Sequence, residues 1–166
     1  MRKIPMRFKK EYTTHMPMLI KCVQMTDGAV LELGAGLFST PLLHWLLAES
    51  RRDLFTYESD EKYLDFSISF RSRHHVIRLV DDWDKIDISG KWSVAFIDQV
   101  TERRAIDAIR LKDNCDYVVL HDSETDHYKY STVYPHFKYR YDWTFCKPWT
   151  TVISNTKDVT KWNSQS

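Results

Sequence analysis

Glycine is scarce in this chain of 166 residues. There are four, and two of them stand two positions apart at Gly34 and Gly36. Cysteine is scarcer still: Cys22, Cys115 and Cys146 are odd in number and far apart in sequence. No C-x-x-C or Cys/His spacing occurs, so neither a disulfide scaffold nor a structural zinc site is indicated, and a reduced, cytoplasmic setting is the simplest reading. Excess charge is lacking too, with 24 basic and 23 acidic residues giving a net charge of +1. A global field for nucleic acid or a membrane surface is thereby excluded, and any such binding must be local. No apolar run approaches the roughly 20 residues of a membrane helix, and the basic stretch Met1–Lys10 has no apolar segment of the signal-peptide kind. Internal repeats and low-complexity linkers are absent. The composition, 43 % hydrophobic and 14 % aromatic, suffices for one core. Residues 1–166 therefore read as a single domain, with a basic arm over 1–12 and a polar tail over 156–166.

Against these absences the stretch from Val30 to Pro41, VLELGAGLFSTP, carries the most information. Val30, Leu31 and Leu33 are strand-prone. Gly34 and Gly36 permit a positive φ and close approach of a ligand to the backbone. Thr40 is placed to cap a helix with Pro41 in its first turn, and Leu42, Leu43, Leu46 and Leu47 supply that helix with an apolar face. Strand, glycine turn and helix in this order open a nucleotide- or nucleoside-binding α/β unit.

The rest of the chain continues the alternation. Thr14 is placed to cap a first helix whose Met16, Leu19, Ile20 and Val23 share one face. Strands are predicted at Leu54–Glu58, His75–Val80, Trp92–Asp98 and Tyr117–His121. Helices are predicted from Asp60, with Tyr63, Phe66, Ser67 and Phe70 on one face, and over Thr101–Lys112, with Ala105, Ile106 and Ile109 inward. From His136 the pattern changes to two β-rich runs, Phe137–Phe145 and Trp149–Asn155, separated by Lys147-Pro148. That fits an antiparallel pair followed by a frayed polar tail.

This order, together with Glu32-Leu33-Gly34-Ala35-Gly36, resembles the class I S-adenosylmethionine-dependent methyltransferases over about Thr13–Asn155. The resemblance implies a Rossmann-like three-layer α/β sandwich, with a mostly parallel seven-stranded sheet closed by an antiparallel strand pair. It implies S-adenosyl-L-methionine as cofactor, with Gly34 and Gly36 beneath its methionine part, Ser39 beside that turn and Glu32 reaching its amino group through water. Glu58 would accept hydrogen bonds from both ribose hydroxyls, Asp82 would accept from the adenine amine, and Trp83 would pack on the ring. Asp98 would lie where methyl group and acceptor meet. A nicotinamide cofactor is the rival: Gly34-x-Gly36-x-x-Ser39 nearly matches G-x-G-x-x-G, and Glu58 stands near the expected acidic position. Ser39 in place of the third glycine makes NAD, and with it an oxidoreductase, the poorer fit.

Methyl transfer from a sulfonium needs an aligned acceptor and, for some acceptors, a base. His121 is a candidate base, and Asp98 and Asp122 are candidate ligands for a divalent metal such as Mg2+. That pair resembles the metal-dependent catechol-type O-methyltransferases, with Ser123 standing where they have Asn. Asp98-Gln99-Val100-Thr101 lacks the [DN]-P-P-[YFW] motif of enzymes that methylate exocyclic base amines. The expected acceptor is therefore an oxygen of a small molecule. Tyr128, Tyr130, Tyr134, Tyr139, Tyr141 and Trp143, interleaved with Lys129, Lys138, Arg140 and Lys147, leave open a nucleic-acid-binding module without methyl transfer. So small a core also leaves room for a homo-oligomer or a partner protein to complete the site.

Overall fold

The structure is a computed structural model that describes residues 9–164; most of the basic arm and the last two residues of the tail lie outside the described residues. Its strands are β1 (Val30–Leu33), β2 (Leu54–Glu58), β3 (His75–Leu79), β4 (Trp92–Ile97), β5 (Cys115–His121), β6 (Tyr139–Trp143) and β7 (Thr150–Ser154). They form one sheet in the order β3-β2-β1-β4-β5-β7-β6. The first five run parallel. β7 runs antiparallel to both β5 and β6 and lies between them, so the expected closing pair is present, with β6 at the edge.

Side-chain alternation sorts the central strands onto two faces. Val30, Val94, Phe96 and Val119 face one layer with Leu19 and Val23 of α1 (Met16–Gln24) and Leu43 and Leu47 of α2 (Ser39–Ala48). Leu31, Leu33, Ala95, Ile97, Val118 and Leu120 face the other, with Ala108 of α4 (Thr101–Arg110) and Tyr130. β1 and β4 are buried along their whole length, which is why their sequences read as nearly unbroken apolar runs. A remaining helix, α3 (Glu61–Ser67), starts as expected at Asp60, whose carboxylate accepts from the Lys62 amide at 2.7 Å.

Several local expectations are corrected. Thr14 caps no helix: its hydroxyl lies 3.2 Å from Nε2 of His121, and α1 begins without a side-chain cap. Thr40 is inside α2, so Pro41 sits in the first turn, where a missing donor costs nothing. Ile106 is 48 % exposed, because α4 turns Arg104, Asp107 and Ala108 inward instead. Over 126–136, where the sequence predicts no element, three short 3-10 turns cover the α4 side of the sheet. The described part of the tail is docked, not frayed. Val159 is fully buried, and Trp162 packs on Tyr117 and Tyr141 with the Lys21 ammonium 4.4 Å from its ring. Strand order reverses direction between β1 and β4, and the crevice outside their carboxyl ends is where open α/β sheets bind ligands.

Candidate active site

Gly34 ends β1 with φ +91°, and a Cβ there would lie 2.5 Å from the Asp98 carbonyl carbon. Only glycine lets the end of β1 pass that close to the end of β4. The amides that follow are spent inside the protein. Gly34 N–H donates to Tyr57 O at 2.9 Å, Ala35 N–H to Glu58 Oε2 at 2.7 Å, and Gly36 N–H to Thr40 Oγ1 at 3.0 Å. A turn that cradles phosphate would present these donors to the ligand. This one ties them to a carbonyl, a carboxylate and a hydroxyl.

Glu32 shares the Val30 face of β1, so it points at α2 and not into the crevice. Its side chain is fully buried and receives hydrogen bonds from Thr40 at 3.0 Å and from Thr56 at 2.7 Å. Burial pushes its pKa up to about 7, against the pull of the hydroxyls. Placement at a cofactor amine is not what the geometry gives: Glu32 supports the turn from beneath.

The crevice holds a cavity of about 370 Å³ lined by Ala35, Gly36 and Ser39 of the turn, Glu58 and Asp60 after β2, Asp98 after β4, and His121 and Asp122 at β5. Glu11, Tyr12 and His15 close it from the N-terminal side and Tyr63 from α3. Glu58 Oε1 accepts the amides of Ser59 and Asp60, each at 2.6 Å, and Oε2 accepts that of Ala35. Burial raises the Glu58 pKa against these three amides. A carboxylate offers about four lone-pair positions, so one remains for a ligand hydroxyl, where two hydroxyls were expected.

At the other end of the cavity Asp98, His121 and Asp122 meet. His121 Nδ1 lies 3.3 Å from Asp98 and 3.5 Å from Asp122. The Thr14 hydroxyl donates to Glu11 O at 3.3 Å, so its oxygen is free to receive Nε2–H of His121. Both ring nitrogens therefore face acceptors, the complement of an imidazolium. Burial lowers the His121 pKa, but the Asp98 hydrogen bond and the charges of Asp98 and Asp122 outweigh it, and the net shift is upward. Burial raises that of Asp98, and His121 and Arg104 outweigh it in turn, holding it low. His15 stands edge-on to His121 at 4.8 Å with neither nitrogen partnered. Burial, then the neighbouring His121, brings its pKa down to about 3, so it is neutral.

Ligand atoms of Asp98, His121 and Asp122 all lie within 4.8 Å of one another, a grouping able to hold a cation. A cation is already there. Arg104, 7 % exposed, reaches Asp98 at 2.7 Å and Asp122 at 3.1 Å. A divalent metal does not fit beside a guanidinium bound to the same two carboxylates.

Not every expected residue reaches the cavity. Asp82 and Trp83 lie outside its lining. Asp82 accepts from the Asp84 amide and pairs with Lys85, while Trp83 is packed in the core on the α4 side. Gly34 and Glu32 act beneath the turn. Tyr12, His15 and Tyr63 give no such signal in the sequence. Glu102, Arg103 and Arg104 read there as an anion-binding corner for a substrate carboxylate or phosphate, or as a solvated helix start, and the structure turns Arg104 inward onto the chain's own Asp98 and Asp122.

No protein-family model and no curated protein sequence matches this chain. Solved structures do. A Klebsiella pneumoniae protein described as a candidate O-methyltransferase is 12 % identical with a TM-score of 0.63, covering 93 % of this chain and 84 % of its own. The N-terminal domain of human METTL16, solved with SAH, is 12 % identical with a TM-score of 0.59 over 93 % of this chain and 75 % of its own. TrmK of M. capricolum, solved with S-adenosyl-homocysteine, gives 9 % and 0.55 over 86 % and 70 %. The likeness is one of fold: this chain has the Rossmann-like fold of these methyltransferases.

Proposed function

We propose that this chain transfers a methyl group from S-adenosylmethionine to an oxygen of a small molecule. The observation that carries the reading is the charge of the cavity. Glu11, Glu58, Asp60, Asp98 and Asp122 line it against a single guanidinium, Arg104. A sulfonium and an ammonium group suit such walls; the pyrophosphate of NAD does not, and it would find the amides of Gly34, Ala35 and Gly36 occupied. An oxidoreductase role is disfavoured on the same ground.

S-adenosylmethionine supplies an electrophilic methyl group. The remaining lone pair of Glu58 Oε2 takes one ribose hydroxyl, and the turn from Ala35 to Ser39 forms the floor. Asp98 accepts the hydrogen bond of the acceptor's hydroxyl and so aims its oxygen. His121 is the proton store. As imidazolium it cannot act as a base, so turnover rises with pH through its raised pKa. Once His121 is neutral, with Nε2–H kept on Thr14, the proton released by the acceptor passes to Asp98 and on to Nδ1, which restores the imidazolium.

A nucleic-acid acceptor is less well supported, although the METTL16 catalytic domain has been solved with an RNA hairpin. Most of the aromatic-basic segment is consumed by the fold. Tyr130 is 1 % exposed, Tyr139, Tyr141 and Trp143 pack against the core, and the Arg140 guanidinium lies 3.6 Å from the Tyr134 ring centroid. Phe145, 86 % exposed, is the ring of this region left for stacking. The test is transfer of a labelled methyl group to a panel of hydroxyl-bearing small molecules and to single-stranded RNA, with chelator present. Label on a small-molecule oxygen supports the reading; label on RNA alone overturns it.

A further inference from the structure

The Arg104 guanidinium has five N–H donors, and four hydrogen bonds and a close ion pair with Asp98 tie it to the chain. Nε–H donates to Gln99 O at 2.7 Å. Nη1 donates to Asp122 Oδ2 at 3.1 Å and, more weakly, to His121 O at 3.5 Å. Nη2 donates to Asp98 O at 3.2 Å and forms an ion pair with Asp98 Oδ1 at 2.7 Å. One face of the guanidinium lies 4.0 Å from the centroid of the Tyr128 ring, and the Tyr128 hydroxyl donates to Asp122 Oδ2 at 3.2 Å. A single side chain thus gathers the carbonyls that end β4 and β5 together with the two carboxylates at the head of the cavity.

We propose that Arg104 is the resident cation of this centre: a positioning residue that stands in place of a divalent ion between Asp98 and Asp122 and keeps methyl transfer there independent of metal. The role rests on the methyltransferase reading only for its second half; exclusion of metal is a property of the site itself. Charge balance explains it. Asp98 and Asp122 already share the Arg104 guanidinium at 2.7 and 3.1 Å, and a divalent ion between them would set a second cation against it. The planar fork explains why arginine suits the position. It spans two carboxylates and three carbonyls in one plane, where a lysine ammonium reaches fewer. With its hydrogen bonds and ion pairs turned to the chain, Arg104 fixes the direction of Asp98 and leaves the methyl acceptor to it.

Removing the guanidinium leaves two carboxylates and an imidazole converging on an empty centre, a donor set that suits Mn2+. The experiment is titration of Mn2+ into the full chain, read by electron paramagnetic resonance, for the wild type, Arg104→Gln and Arg104→Lys. The wild type is expected to show no saturable binding. Arg104→Gln is expected to bind at least about tenfold more tightly than any residual wild-type affinity and to lose that gain when combined with Asp122→Asn. Arg104→Lys, which keeps the charge, is expected to exclude Mn2+ as the wild type does. Saturable wild-type binding that Asp98→Asn abolishes would overturn the proposal. So would an Arg104→Gln protein that keeps its near-UV circular dichroism yet gains no ion. If Arg104→Gln does not fold, Arg104→Lys decides: Mn2+ binding to it, with the fold retained, would show that charge at this position does not exclude the ion. Calorimetry with S-adenosylmethionine on the same proteins keeps the two readings apart, since failure to bind the cofactor leaves the Mn2+ result standing.

Discussion

Two buried carboxylate–histidine systems flank the glycine turn, and they resolve the same problem in opposite ways. Under the turn, Glu32 receives the Thr56 hydroxyl, Thr56 receives Nε2–H of His75, and Nδ1 of His75 lies 3.1 Å from Nδ1 of His44. The groups that donate to Glu32 there are neutral hydroxyls. Burial, with His44 adding to it, brings the His75 pKa down to about 4, while Glu32 rises to about 7. Beside the turn, Asp98 and Asp122 meet Arg104 and His121, so Asp98 is held low and His121 high. Hydrogen bonds from hydroxyls do not hold a buried carboxylate ionised; a cation does. The first system is suited to supporting the turn and the second to presenting charge to a ligand.

The largest way to break this contrast is to take the cation from the second system. Arg104→Met should lower unfolding stability by about 3–5 kcal/mol in denaturant titrations, because two carboxylates lose their partner at once. A loss under about 1 kcal/mol would mean that the network does not hold the strand ends together.

Glu32→Gln sharpens the contrast through pH. Glu32 has a raised pKa, so between about 4.5 and about 7 the native state holds a proton that the unfolded chain has released, and stability falls as pH rises. The glutamine variant should lose that slope and at pH 8 be more stable than the wild type by on the order of 3 kcal/mol. Asp98 has the opposite sign. Its lowered pKa gives stability that is present above its ordinary value and lost as pH falls through the folded one. A stability difference between the wild type and Glu32→Gln that is the same at pH 5 and at pH 8 would contradict the Glu32 assignment.

Smaller effects follow at the turn and the cofactor end. Gly34→Ala forces a side chain into φ +91° against the Asp98 backbone and should cost about 1–3 kcal/mol of stability. Glu58→Gln should weaken S-adenosylmethionine binding by about 1–3 kcal/mol in calorimetry, and an unchanged affinity would remove Glu58 from the site. The gentlest probe is an NMR titration of the His121 ring. Its pKa should lie above the ordinary histidine value and drop in Asp98→Asn; an unshifted titration would remove the ion pair from the account.

How much of this was legible in the sequence follows from side-chain direction. Strand and helix order, the glycine turn, and Glu58, Asp98, His121 and Asp122 at strand ends could all be read, because strand ends are where apolar runs meet polar residues. Glu32 could not be placed correctly by motif alone. It pairs in register with Thr56 and faces α2, a consequence of strand alternation once β1 lies beside β2. Trp83 was read as a ring platform and is core, since a tryptophan after a strand serves either purpose. Arg104 reads in the sequence as an anion-binding corner or a solvated helix start, and its pairing does not: its partners come from the ends of β4 and β5, and only the closed sheet brings them within reach.

The most direct test of the central claim is calorimetric titration of the purified chain with S-adenosylmethionine and, separately, with NAD. The acidic cavity and the occupied turn amides predict micromolar binding of S-adenosylmethionine and no binding of NAD. Binding of NAD alone, or of neither, would contradict the account.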